Sequence, residues 1–249
     1  MTTIFCSGSD ERGVARDNVW CRECEWGVVM TLAANMGGRL RGFVKPIHRK
    51  YRDQKVELFL RLVRGRGKRG RLLDVGGGPG VDGEYQELYA TFDEVVVLNL
   101  ELAKFRTPPG VKLKTMAGDA RELPLESSSF DWVFSNAVIE HVGGWQHQER
   151  FAKEIQRVAA HGYFVTTPNK YFPIEPHAML PFYQFLPVFV QKKVAPYSPG
   201  YLREYEEINL LSAGQMRKLF PGATVLPVGF PVLGNSLVAY SCGEQNGHA

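Results

Sequence analysis

Three short stretches of this 249-residue chain bring together residue types that do chemistry. The first is Asp74-Val75-Gly76-Gly77-Gly78-Pro79-Gly80, preceded by Leu72 and Leu73. An apolar run that stops at alternating glycines predicts a buried parallel strand, a tight turn, and a helix from about Val81 to Ala90. This is the geometry of a nucleotide-binding βα unit, where a Cβ would block close approach of a cofactor to the backbone. The spacing differs from the dinucleotide fingerprint, whose last two glycines are three apart, and it lacks the Lys-Ser/Thr ending of a P-loop. The second stretch is Glu140-His141, just beyond an apolar run. The third is Glu175-Pro176-His177, flanked by Pro173. Carboxylate and imidazole pairs of this kind can move a proton near neutral pH, and the prolines restrict the backbone that carries them.

The elements that must position these residues follow from the apolar pattern. Strands are predicted at Arg71–Val75, Glu94–Asn99, Val111–Met116, Phe130–Ser135, Gly162–Thr167, Ala223–Val228 and Ser236–Ser241. Helical stripes fall at Val56, Phe59, Leu60 and Val63, and at Phe151, Ile155 and Val158. Ser212 is placed to cap a helix ending near Phe220, before Pro221-Gly222. Val19 to Met36 reads as a further helix, and residues 1–18 and 243–249 as loose termini.

Composition sets the outer limits. Hydrophobic residues make up 44% and charged residues 22%, as expected of a soluble globular protein. No apolar run reaches the ~18 residues of a spanning helix, and no secretory signal is read, so a cytoplasmic location is expected. Cys6, Cys21, Cys24 and Cys242 have neither a disulfide framework nor a zinc spacing, and no metal site is expected. Charge is uneven. Between Arg39 and Arg71 thirteen Lys or Arg face two acids, a local charge of +11 that leaves −7 for the rest. Such a block suits a solvated face, with phosphate, an anionic lipid surface or an acidic partner as alternatives.

The chain resembles the class I S-adenosylmethionine (SAM) methyltransferases, in their small-molecule, type 11-like branch. Asp74-x-Gly76-x-Gly78-x-Gly80 matches their first motif. Gly118-Asp119-Ala120, Leu123-Pro124, Ser129 to Asn136 and Val138-Ile139-Glu140-His141-Val142 follow in the branch's order. The resemblance spans residues 70–242. It implies a single Rossmann-like α/β domain with a doubly wound seven-stranded sheet and an antiparallel last strand. Residues 1–69 would be a helical, basic extension, 70–167 the SAM-binding core, 168–211 an aromatic lid, and 212–242 the closing helix and strands. It also implies that Asp74, Gly76, Gly78 and Gly80 shape the cofactor turn, and that Asp119 meets the adenine amino group with the Ala120 amide on a ring nitrogen. Asn136 falls at the ligand end of the fourth strand. The family usually has an acid at the end of the second strand to grip the ribose. This chain has Asn99 there and Glu101 two residues on, so either or both are candidates.

The resemblance does not name the methyl acceptor. The lid is rich in aromatic residues and broken by proline, which suits a pocket for a ring or an acyl chain. The apolar stretch Met179 to Val190 is suited to touching a bilayer surface. A small organic acceptor, with a hydroxyl of a glycan, lipid or secondary metabolite foremost, is the leading expectation. His177 is the first candidate for general base, with Glu175 and His141 behind it. Two alternatives are a nucleic-acid methyltransferase using the basic block and a non-catalytic SAM-binding partner protein. Ser135-Asn136-Ala137-Val138 lacks the Asn/Asp-Pro-Pro-aromatic run that many nucleobase-methylating enzymes carry at this place.

Overall fold

The computed structural model describes residues 50–65, 70–78, 84–102, 107, 109–200, 202 and 204–242. Gly80, Cys6, Cys21, Cys24, the expected helix at 19–36, much of the basic block and the two termini lie outside the described residues.

Helix α1 spans residues 50–64. Strand β1 (Arg71–Val75), helix α2 (Glu84–Ala90), β2 (Glu94–Asn99), β3 (Leu113–Ala117) and β4 (Phe130–Asn136) follow, then α3 (Trp145–Val158) and β5 (Ala159–Pro168). A two-stranded hairpin of β6 (Ile174–Glu175) and β7 (Leu180–Pro181) comes next, with a short helix α4 (Val188–Val194). Helix α5 (Ala213–Leu219), β8 (Thr224–Val228) and β9 (Ser236–Cys242) close the chain.

The seven long strands form one sheet in the order β3-β2-β1-β4-β5-β9-β8. The pairs among β1 to β5 are parallel, and β9 runs antiparallel to both β5 and β8. This is the doubly wound seven-stranded sheet with its last strand reversed. Alternation along β1 sends Leu73 and Val75 to one face and Leu72 and Asp74 to the other. The first face packs with Phe151, Ile155 and Val158 of α3 and Met216 and Leu219 of α5. The second packs with Val56, Phe59, Leu60 and Val63 of α1 and Leu88 and Tyr89 of α2. Both helical stripes read from the sequence are therefore core stripes. Ser212 caps α5 in a reciprocal capping box with Gln215.

β3 begins at Leu113, two residues later than the pattern suggested, and is an exposed edge strand, with Val111 buried just before it. Edge strands lose the two-sided apolar signal that marks central ones. Part of the basic block is seen to be paired: Arg61 with Glu57, Arg64 with Glu87 and Arg71 with Glu94. Among the described residues, no helix is long and apolar enough to cross a membrane.

Candidate active site

The strand order reverses between β1 and β4, and a crevice opens at the carboxyl ends of strands at such a point. A cavity of about 500 Å³ lies there. Val75 and Gly76 form its floor, with Leu98, Asn99 and Glu101 from the end of β2 and Gly118, Asp119 and Ala120 from the end of β3. Val138, His141 and Val142, from the turn after β4, complete the wall. Six residues singled out from sequence thus meet on one surface: Gly76, Asn99, Glu101, Asp119, Ala120 and His141.

The glycine turn is built by close packing. Gly76 has φ +78°, and a Cβ there would sit 2.4 Å from Val138 Cγ2. A Cβ on Gly77 would meet Asp74 Oδ2 at 2.6 Å and Val97 Cγ1 at 2.9 Å. Gly78 is different: among the described residues its Cβ would meet nothing within 4 Å. Gly76 and Gly77 are therefore required by the protein itself, and Gly78 leaves open the space beside the turn. Asn99 donates from Nδ2 to Gly77 O at 2.9 Å and so ties the end of β2 to the turn.

Asp74 lies beneath the turn and is absent from the cavity wall. It is 1% exposed and accepts a hydrogen bond of 2.5 Å from the Tyr89 hydroxyl. Burial pushes its carboxyl up to about 7, against the lowering effect of the Tyr89 bond. An acid whose folded pKa lies above its unfolded value keeps its proton longer in the folded state, so folding loses stability as pH rises between the two. Between pH 4 and 7 this group should therefore cost the fold at most about 4 kcal/mol. Denaturant melts of wild type and Asp74→Asn across that range test this, because the difference between the two curves isolates the one group. The wild type should fall relative to the variant as pH climbs. Parallel curves would show that Asp74 is ionised throughout.

Asp119 holds Arg121 through both carboxylate oxygens, at 2.6 to 3.0 Å, and accepts the Arg121 amide at 2.9 Å. The Arg121 hydrogen bonds hold its carboxyl below the usual range. Asn136 accepts from the Thr166 hydroxyl at 2.7 Å, locking β4 to β5, and is not part of the wall.

The proton-moving candidates converge beside His141. Its Nδ1 is 2.9 Å from Glu206 Oε1, and its ring meets the His177 ring edge-on with centroids 5.0 Å apart. His177 is buried and bonded through Nδ1 to Glu175, whose other oxygen accepts the Ala178 amide at 2.6 Å. Burial alone would lower the His177 pKa, but the hydrogen bond and charge of Glu175, with Glu140 and Glu206, outweigh it and raise it. Of the three, only His141 lines the cavity; Glu175 and His177 stand behind it. Gln148 pins this corner, donating from Nε2 to Ile139 O and Asn209 O at 3.1 and 2.8 Å.

Among the described residues, none of those lining the cavity comes from the 168–211 insert. Its hairpin folds around a small core of its own, Ala178, Tyr183, Ala195 and Leu202, while Phe182, Phe185 and Phe189 are exposed. The insert reaches the cavity's edge through Glu206 and His177. Sequence reasoning missed Gly77, Tyr89, Arg121 and Glu206. Gly77 sits among the singled-out glycines, and its signal was adjacency to Asp74. Glu206 carries no local signal, being 65 residues from its partner.

Residues 73–166 match the family described as "Methyltransferase domain". The chain carries a class I SAM-dependent methyltransferase domain. The match runs from β1 to β5 and so takes in the glycine turn, Asn99, Asp119 and His141 of this methyltransferase. No curated protein matches it in sequence. Among solved structures it is similar in fold to magnesium protoporphyrin IX methyltransferase of Synechocystis, crystallised with bound SAH, at 16% identity and a TM-score of 0.51 over 81% of this chain and 88% of that one. A SAM-dependent methyltransferase of Clostridium acetobutylicum aligns at 8% identity and 0.52, over 83% and 99%. A Pyrococcus horikoshii protein aligns at 18% identity and 0.51, over 78% and 91%.

Proposed function

We propose that this methyltransferase moves a methyl group from SAM to a hydroxyl oxygen of a small organic acceptor, of glycan, lipid or secondary-metabolite type, in the cytoplasm. The observation that carries the reading is the shared wall: Asn99, Glu101 and Asp119 line the same cavity as His141. When bound, SAM supplies a methyl on a sulfonium sulfur; the acceptor oxygen takes the methyl, the broken S–C pair stays on sulfur, and the acceptor proton must leave. Asp119 offers carboxylate oxygens to an exocyclic N–H of the adenine, with the Ala120 amide beside it. Leu98, Val138 and Val142 give the ring an apolar bed. Asn99 and Glu101 stand where ribose hydroxyls would be held. His141, tied to Glu206, is placed to receive the acceptor proton, with His177 and Glu175 fixing the corner behind it. The paired state of Arg61, Arg64 and Arg71 offers no support for a nucleic-acid acceptor.

Calorimetric titration with SAM, followed by a labelled-SAM screen of metabolite extracts, tests the reading. Absence of SAM binding would overturn it. Two variants place the ribose. Asn99→Ala loses both its own contact and the tie to Gly77, and is expected to weaken SAM about tenfold. Glu101→Gln, on an exposed side chain, is expected to weaken it less. The reverse order would move the ribose to Glu101.

A further inference from the structure

Glu140, His141 and His177 each bring one donor atom to a common point, the three atoms lying within 4.8 Å of one another. They come from two parts of the chain, the turn after β4 and the loop between β6 and β7. Three features go beyond proximity.

The first is Glu140. Its side chain is fully buried; Oε2 accepts from the Thr167 hydroxyl at 3.0 Å, and Oε1 is buried with no hydrogen-bond partner among the described residues. A buried carboxylate oxygen without a partner is costly, and such atoms are rare unless something else occupies the site. Lys55, itself buried, places a positive charge that interacts with Glu140.

The second feature is the histidine surroundings. Both rings have Nδ1 on a carboxylate, His141 on Glu206 and His177 on Glu175. A metal-bound histidine almost always gives its second ring N–H to a carboxylate, carbonyl or water, which fixes the tautomer and aims the other nitrogen. Here both histidines have that support, and each offers one ring nitrogen to the shared point. The third feature is access. His141 lines the cofactor cavity, so an ion at this point would face it.

We propose that Glu140, His141 and His177 form a divalent-cation site at the edge of the methyl-transfer cavity. Two nitrogens and one carboxylate, with positions left open, suit Mn²⁺, Fe²⁺, Co²⁺, Ni²⁺ or Zn²⁺ rather than Mg²⁺ or Ca²⁺, which favour all-oxygen shells. Bonds of ~2.0–2.2 Å require the three donors to close by about an ångström or more, within reach of side-chain rotation. The role of the ion rests on the methyl transfer proposed above and replaces one part of it: with the ion bound, the ion would hold the acceptor oxygen and lower its pKa, the proton would pass to water or Glu206, and His141 would serve as a ligand in place of its role as base.

The test uses the full chain freed of metal with a chelator. Mn²⁺ is titrated by following the loss of the free-ion paramagnetic resonance signal, and Zn²⁺ by calorimetry. One ion per chain is expected, with a rise in melting temperature. Glu140→Gln and His141→Ala should each weaken binding at least tenfold, and the exposed Glu126→Gln should not. Glu140 is buried and its variant could misfold, whereas half-exposed His141 supplies a variant expected to fold. No binding by the wild type, or binding that both site variants leave unchanged, overturns the site. SAM titration of the same metal-free protein separates the two proposals: SAM binding without ion binding removes the metal alone, and ion binding without SAM binding removes the methyl-transfer reading alone.

Discussion

Gly78→Val should abolish measurable SAM binding, a loss of at least about a hundredfold, while the melting temperature stays close to wild type. Among the described residues, a Cβ at Gly78 meets no atom within 4 Å, and no left-handed backbone is required there. Its two methyls therefore occupy only the space left beside the turn. A filled approach to the backbone removes the close contact for which a glycine turn exists. Gly77→Ala provides the contrast. One methyl group there runs into Asp74 and Val97, so stability should fall by about 1–3 kcal/mol through overpacking, with SAM affinity falling as the turn shifts. Calorimetry beside thermal melts reads both quantities. A Gly78→Val protein that binds SAM normally would place the cofactor elsewhere.

That contrast also shows how far sequence could go. The alternating glycines marked the turn, and the acid before them marked the strand end. Which glycine serves the protein and which serves the ligand depends on what lies underneath, and Asp74, Val97 and Val138 come from three different elements. The central strands were legible because β1, β2, β4 and β5 are buried on both faces and read as unbroken apolar runs. The helical stripes of α1 and α3 were legible because each buries one face. The hairpin of β6 and β7 was not: its strands are two residues long, and Pro173, Pro176 and Pro181 erase any period. The aromatic content of the insert suggested a pocket lining, yet aromatic residues read the same way whether they end in a pocket or on a surface. Glu206 became visible only when the fold closed a 65-residue gap and the Asn209 amide met Glu140 O at 2.9 Å.

The same corner carries the second large effect. His141→Ala should lower kcat by ~10²–10⁴-fold with little change in SAM affinity, the contribution of a group that handles a proton in the transition state. The expected cost in stability is small, because the side chain is 29% exposed and its partner Glu206 is 52% exposed. His177→Ala should differ in kind. It strips the hydrogen bond from Glu175, which is 2% exposed, and removing one partner of a buried ion pair typically costs about 3–5 kcal/mol. Turnover and melting temperature should therefore fall together. His177→Gln separates the two effects, since its amide can still donate to Glu175 and restore much of the stability. If kcat stays low once the melting temperature has recovered, His177 acts on the chemistry through His141 or the shared ion. If kcat recovers with it, His177 only fastens the insert, and the catalytic assignment contracts to His141. A His141→Ala enzyme with wild-type kcat on a proven hydroxyl acceptor would remove the whole corner from the reaction and leave Glu101, which lines the same cavity, as the next carboxylate to test.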